Sequence, residues 1–195
     1  MFFSKRSLIS SFVLTGVVAI TSYLAMKSTE SFNIGGKLPN DFQVNEAKNI
    51  AFTEIDKDGK VKYILNAEDS VRYADGKADV NQVKLLTYSD NQNNPWHITA
   101  KTAEILNDNS KIFLSGGVVI TRDAEGKKAP AIKITTESGS VFPKRNYVES
   151  NDLVTMTEPG SNNIMTGVGL KGYLNPTNLT LLSNVRTYYV GTLQE

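Results

Sequence analysis

Residues 112–121 read IFLSGGVVIT, a run of strand-forming residues interrupted at its centre by Gly116 and Gly117. Paired glycines serve two quite different ends: they let a backbone close on a phosphate, or they mark a bend where no side chain fits. The neighbouring sequence separates the two. With Val118 as a register mark, comparable apolar residues recur at Val83, Leu153 and Val185, at spacings of 35, 35 and 32 residues. Each is preceded by two bend formers, Asn81-Gln82, Gly116-Gly117, Asn151-Asp152 and Ser183-Asn184, and further upstream by a turn cluster at 75–77, 108–110, 143–146 or 175–178. A phosphate cradle needs its glycines once, between a strand and a helix; a bend that returns in four units is an instruction about shape.

The segments between these marks have a period of two. Val61, Tyr63, Leu65 and Ala67 alternate with Lys62, Ile64, Asn66 and Glu68, after a turn at Asp58-Gly59. No sustained helical stripe follows residue 40, so the class is all-β: an antiparallel sheet that folds over at each bend, its two halves facing like a half-open clam. The alternation puts Tyr63, Leu65, Val80, Ile98, Ile112, Leu114, Val118, Ile120, Ile134, Val154, Met156, Leu179, Leu181 and Val185 inside. They either fill a core or line a gap for an apolar ligand, and the sequence leaves both open. The last repeat, LTLLSNVRTYYV at 179–190, carries one charge and forms an edge. Such an edge is either covered by the tail at 191–195 or offered to another protein's strand.

Ahead of the β segments, residues 7–26 form twenty consecutive uncharged residues, SLISSFVLTGVVAITSYLAM, which as a helix would extend roughly 30 Å, enough to span a bilayer. Lys5 and Arg6 precede the run and set its orientation, with residues 1–6 in the cytoplasm. The run exceeds the roughly 7–15 residues of a signal-peptide core and lacks a clean small-x-small cleavage pair, which favours a retained anchor. Residues 27–40, KSTESFNIGGKLPN, read as a linker, and 41–195 as the β domain.

Composition narrows the function. There is no cysteine, and so no disulfide framework or thiolate nucleophile; Lys and Arg total 21 against 20 acidic residues, without the basic stripe a nucleic acid would reward. The single histidine, His97, has no second ligand candidate at metal spacing and reads as an ordinary strand residue, with Trp96 beside it as a packed anchor. Asp56 and Asp58 belong to a hairpin turn rather than an acid pair, and no GxSxG or phosphate loop is present. No enzyme, cofactor or metal is expected.

The segments PWHITA (95–100), DLVTM (152–156), TGVGLKGYL (166–174) and NVRTYY (184–189), in this order behind an N-terminal anchor, resemble the LptC family of lipopolysaccharide transport proteins over essentially the whole chain. The resemblance implies a curled β-jellyroll with OstA/LptA-like repeats, tethered to the inner membrane of a Gram-negative bacterium and lying in the periplasm. It implies an interior that receives lipid A acyl chains extracted by an ATP-driven LptB/LptF/LptG complex, with the first strand (42–54) facing that complex. It also implies delivery to LptA at a C-terminal edge involving Gly160, Leu179, Leu181, Val185, Tyr188 and Tyr189. The competing expectation is a membrane-anchored structural or adhesive β protein with a filled core.

Overall fold

The computed structural model describes residues 39–88, 93–106, 108–126, 129–161 and 163–189. Eleven strands form one antiparallel sheet: β1 (Gln43–Ile55), β2 (Val61–Tyr73), β3 (Ala78–Thr87), β4 (Trp96–Ile105), β5 (Ile112–Ser115), β6 (Val118–Arg122), β7 (Ile132–Thr136), β8 (Gly139–Phe142), β9 (Tyr147–Thr157), β10 (Ile164–Leu174) and β11 (Thr177–Tyr188). The order starts β1-β2-β3-β4. The sheet then divides, one branch running through β5 and β8 and the other through β6 and β7, and rejoins at β9-β10-β11. The jellyroll-like all-β class expected from the sequence is observed. The proposed membrane segment at 7–26 lies outside the described residues; among those described, no helix is long and apolar enough to cross a membrane.

Local chemistry closes the hairpins. Between β1 and β2 the Asp56 carboxylate accepts the backbone N–H groups of Asp58 and Lys60, both at 2.9 Å, while Gly59 takes φ +78°. Those donors, Lys60 foremost, hold the Asp56 carboxyl below its ordinary pKa. Asp108 does the same for Ser110 between β4 and β5, and its pKa is lowered chiefly by the Ser110 hydroxyl and N–H. Between β9 and β10, Pro159 and Gly160 (φ +91°) occupy the centre of a turn closed by Ser161 N–H to Glu158 C=O at 3.0 Å, the pattern of a type II turn.

A line of unusual backbone crosses the middle of the sheet. Asn49 on β1, Gln82 on β3, Gly116 and Gly117 between β5 and β6, Gly169 on β10 and Asn184 on β11 all have φ between +50° and +90°. At this line the inward face slips by an extra residue. On β3 the buried set passes from Val80 to Val83 and on β4 from Ala100 to Ala103, a step of three in place of two, while from Leu114 on β5 to Val118 on β6 the step is four and takes in both glycines. Each slip turns the strand so that both its ends point into the same interior, and the sheet folds onto itself. Three of the four bend pairs read from the sequence therefore carry a left-handed residue. Of the four pairs only the glycine pair breaks its strand in two; β3, β9 and β11 run through the line as single strands.

The fourth pair corrects the repeat. Neither Asn151 nor Asp152 has positive φ, and β9 keeps its two-residue alternation through Val148, Ser150 and Val154. With no extra residue consumed, the proposed mark Leu153 points outward, 62% exposed, and Val154 takes the inward position at 0%. Side chains make the fold here: Asp152 Oδ2 accepts the Ser138 N–H (2.9 Å) and hydroxyl (2.6 Å), and the Thr136 and Ser150 hydroxyls lie 3.0 Å apart.

Candidate functional site: an apolar trough and two open edges

The interior between the halves is one apolar cluster, continuous from β2 to β10. Its middle is filled. Ile98, Leu114, Ile134 and Val154 are 0% exposed, and Ile112, Val118 and Leu170 are nearly so. Burying each such side chain contributes about 1.5–3 kcal/mol, so this packing is the main stabiliser of the fold. Of the residues expected inside, Tyr63, Leu65, Val80, Ile98, Ile112, Leu114, Val118, Ile120, Ile134 and Val154 are buried in this cluster, and Met156, Leu179 and Leu181 pack half-buried against it; Val185, expected inside as well, is instead 50% exposed on the edge strand β11.

The ends of the trough are less full. At the C-terminal end a cleft of about 220 Å³ lies among Ile132, Met156, Met165, Thr187 and Tyr189. At the N-terminal end a smaller one of about 120 Å³ lies among Phe52, Tyr63, Arg72, Val80 and Ile105. Tyr63 stands in the wall of the latter, its ring 5.8 Å from that of Phe52. Burial, reinforced by the negative charge of Glu54 on the facing position of β1, pushes its phenol up to about 12. It is a neutral, apolar wall at any ordinary pH.

The fold line closes one long side of the trough, and side chains close the other. The strand ends farthest from the fold line meet as two lips. Thr87 Oγ1, at the end of β3, donates to Asn146 Oδ1 ahead of β9 at 3.0 Å. The Trp96 indole N–H, at the start of β4, donates to the Leu174 carbonyl at the end of β10, also at 3.0 Å. Arg122 at the end of β6 donates through Nη1 to Thr177 Oγ1 at the start of β11 at 2.7 Å, with its guanidinium 4.9 Å over the Trp96 ring. The partners advance together, β3 onto β9, β4 onto β10 and β6 onto β11, so the two halves cross rather than stack strand on strand.

Both sheet edges are unpaired among the described residues. β1 carries Glu46, Lys48 and Glu54, whereas β11 carries Arg186 alone. Exposed large apolar side chains gather at these edges: Phe42, Val44, Phe52 and Ile55 at the first, Leu182, Val185, Tyr188 and Tyr189 at the second. Of the proposed docking residues, Val185, Tyr188 and Tyr189 are exposed, while Leu179 and Leu181 turn toward the interior. Gly160 sits in the β9–β10 turn, one strand in from the edge. The tail at 191–195 lies outside the described residues.

His97 is exposed on β4, and Trp96 is the buried anchor the sequence suggested. Among the described residues no group of three metal-ligating side chains comes together. Sequence reading missed the lip contacts, which join residues 55 to 78 positions apart and leave no local signature. It also missed Asn49 and Gly169, although an asparagine and a glycine inside period-two strands are signals for such bends.

The family described as "Lipopolysaccharide-assembly, LptC-related" matches residues 14–190. Among solved structures the chain is similar to the crystal structure of LptH, the LptA homologous periplasmic component of the conserved lipopolysaccharide transport device from Pseudomonas aeruginosa. That likeness has 14% identity and a TM-score of 0.47, and covers 78% of this chain and 100% of the other. Among curated proteins none matches.

Proposed function

The chain belongs to the LptC-related family of lipopolysaccharide assembly, and from that premise we propose that it is a passive conduit: an anchored periplasmic trough that takes lipopolysaccharide from an ATP-driven extractor and passes it on. Its role in lipopolysaccharide transport follows from the family; the route, the anchor at residues 7–26 and the docking edges are our reading. The observation that carries it is the single apolar interior running through a sheet whose two edges are both unpaired among the described residues.

The chemistry suits this cargo. Each acyl methylene moved from water into the trough contributes about 0.8 kcal/mol, while sugars and phosphates gain by staying in water outside. The clefts at the two ends give acyl chains apolar space beside the packed middle. Direction is supplied by ATP hydrolysis in the LptB/LptF/LptG partner, so the chain itself has no catalytic step. β1 would pair with a jellyroll of that complex and β11 with LptA, main-chain hydrogen bonds providing affinity and aligning successive troughs.

Co-purification from detergent-solubilised membranes tests the reading. The extractor and bound lipopolysaccharide should accompany the full chain, and Tyr189→Glu, at a 74% exposed position, should release LptA while leaving the extractor in place. LptA binding undiminished by that charge would refute the β11 assignment. The filled middle supports a second reading, a structural β protein without cargo. On that reading the purified chain carries no lipid.

A further inference from the structure

The two long sides of the trough are held in different ways. On the fold line every half-strand continues into the other half through its own backbone; left-handed residues mark the bends of β1, β3, β10 and β11 and the β5–β6 junction, and the Ser138–Asp152 contacts hold that of β9. At the lips no strand ladder crosses among the described residues. Three side-chain hydrogen bonds do: Thr87 to Asn146, Trp96 to Leu174, and Arg122 to Thr177. One of these is imperfect, since the Nε of Arg122 is buried without a hydrogen-bond partner among the described residues, an arrangement that weakens the closed state relative to a hydrated, open one.

Between these sides the interior is shut. Residues at the centre of the trough have no exposure, so an acyl chain reaches them only when the halves separate. The backbone of the fold line cannot part. The lips can, because their polar groups exchange one partner for water while the hinge opposite stays whole.

We propose that the Thr87–Asn146, Trp96–Leu174 and Arg122–Thr177 seam is a releasable latch, and that acyl chains are admitted sideways through it rather than threaded from the ends. The proposal rests on the conduit reading above and specifies its gate. Arg122 has a double part in it, its guanidinium covering the Trp96 ring while its Nη1 holds Thr177, so both contacts break in a single swing of one side chain. The seam closes again behind the cargo without rearranging any strand pairing.

The absence of cysteine makes the test clean. The full-length chain carrying Thr87→Cys and Asn146→Cys, with a photo-crosslinking group at Val118, is incubated with lipopolysaccharide vesicles, reduced in one arm and oxidised in the other. The proposal predicts that the lipopolysaccharide adduct at Val118 is lost on oxidation and recovered on reduction, while a chain without the two cysteines responds to neither. Thr87→Val, which removes one latch bond without altering charge, is expected to form adduct faster than the parent. Equal adduct in the oxidised and reduced arms means that chains enter from the ends; the latch is then wrong and the conduit stands. No adduct in any arm, the parent included, overturns the conduit reading and the gate with it.

Discussion

The fold line and the lip seam bound the same trough and are built from opposite materials. At the fold line the instruction is local: on β1, β3, β10 and β11 and between β5 and β6, residues adopt a left-handed conformation, all of them asparagine or glycine except Gln82. At the seam the instruction is non-local, held by side chains that meet only after the sheet has folded. Damage to the first should therefore cost folding, and damage to the second should cost closure. That difference separates a hinge from a latch.

The strongest blow to the hinge is Gly169→Val. The residue has φ +77°, and an added Cβ would lie 2.9 Å from Leu182 Cδ1, so backbone strain and overpacking combine. A loss of about 4 kcal/mol is expected in denaturant unfolding, enough to deplete the folded chain. Asp152→Ala comes next. It leaves the Ser138 N–H and hydroxyl without their acceptor at a bend that lacks a left-handed residue, and should cost about 3 kcal/mol. Gly117→Val tests strain by itself: φ is +90°, but nothing lies within 4 Å of the new Cβ. About 2 kcal/mol and a parallel fall in transport are expected, and a variant as stable as the parent would remove the bend from the account. At the seam, Thr87→Val should cost about 1 kcal/mol or less in the same unfolding assay, because the Asn146 amide left behind is half-buried and can turn to water. Should the seam variant prove more damaging than the bend variants, the distinction between hinge and latch collapses.

The hinge was largely legible in the sequence and the latch was not. Gln82, the glycine pair and Asn184 announced themselves as bend formers at one place in a repeat, and period-two alternation named the buried face correctly from Tyr63 to Val154. Leu153 misled because the repeat was extended to a strand whose bend is made by Asp152 accepting from Ser138, without an inserted residue. Composition cannot distinguish those two ways of turning a strand. Trp96 was identified as an anchor, but its partner, the Leu174 carbonyl 78 residues away, depends on the crossing of the halves. Whether the interior was filled or hollow was equally out of reach, since alternation assigns a face and says nothing of the distance to the opposite one.

The central claim, that lipopolysaccharide passes through this interior, is tested most directly by placing photo-crosslinking groups in living cells at Leu114, Val118 and Met156. The first two lie in the closed middle and the third at the C-terminal cleft. The account predicts lipopolysaccharide adducts at all three positions while the extractor is hydrolysing ATP, and none at the outward-facing Leu153. Adducts absent from Leu114, Val118 and Met156 alike would contradict it.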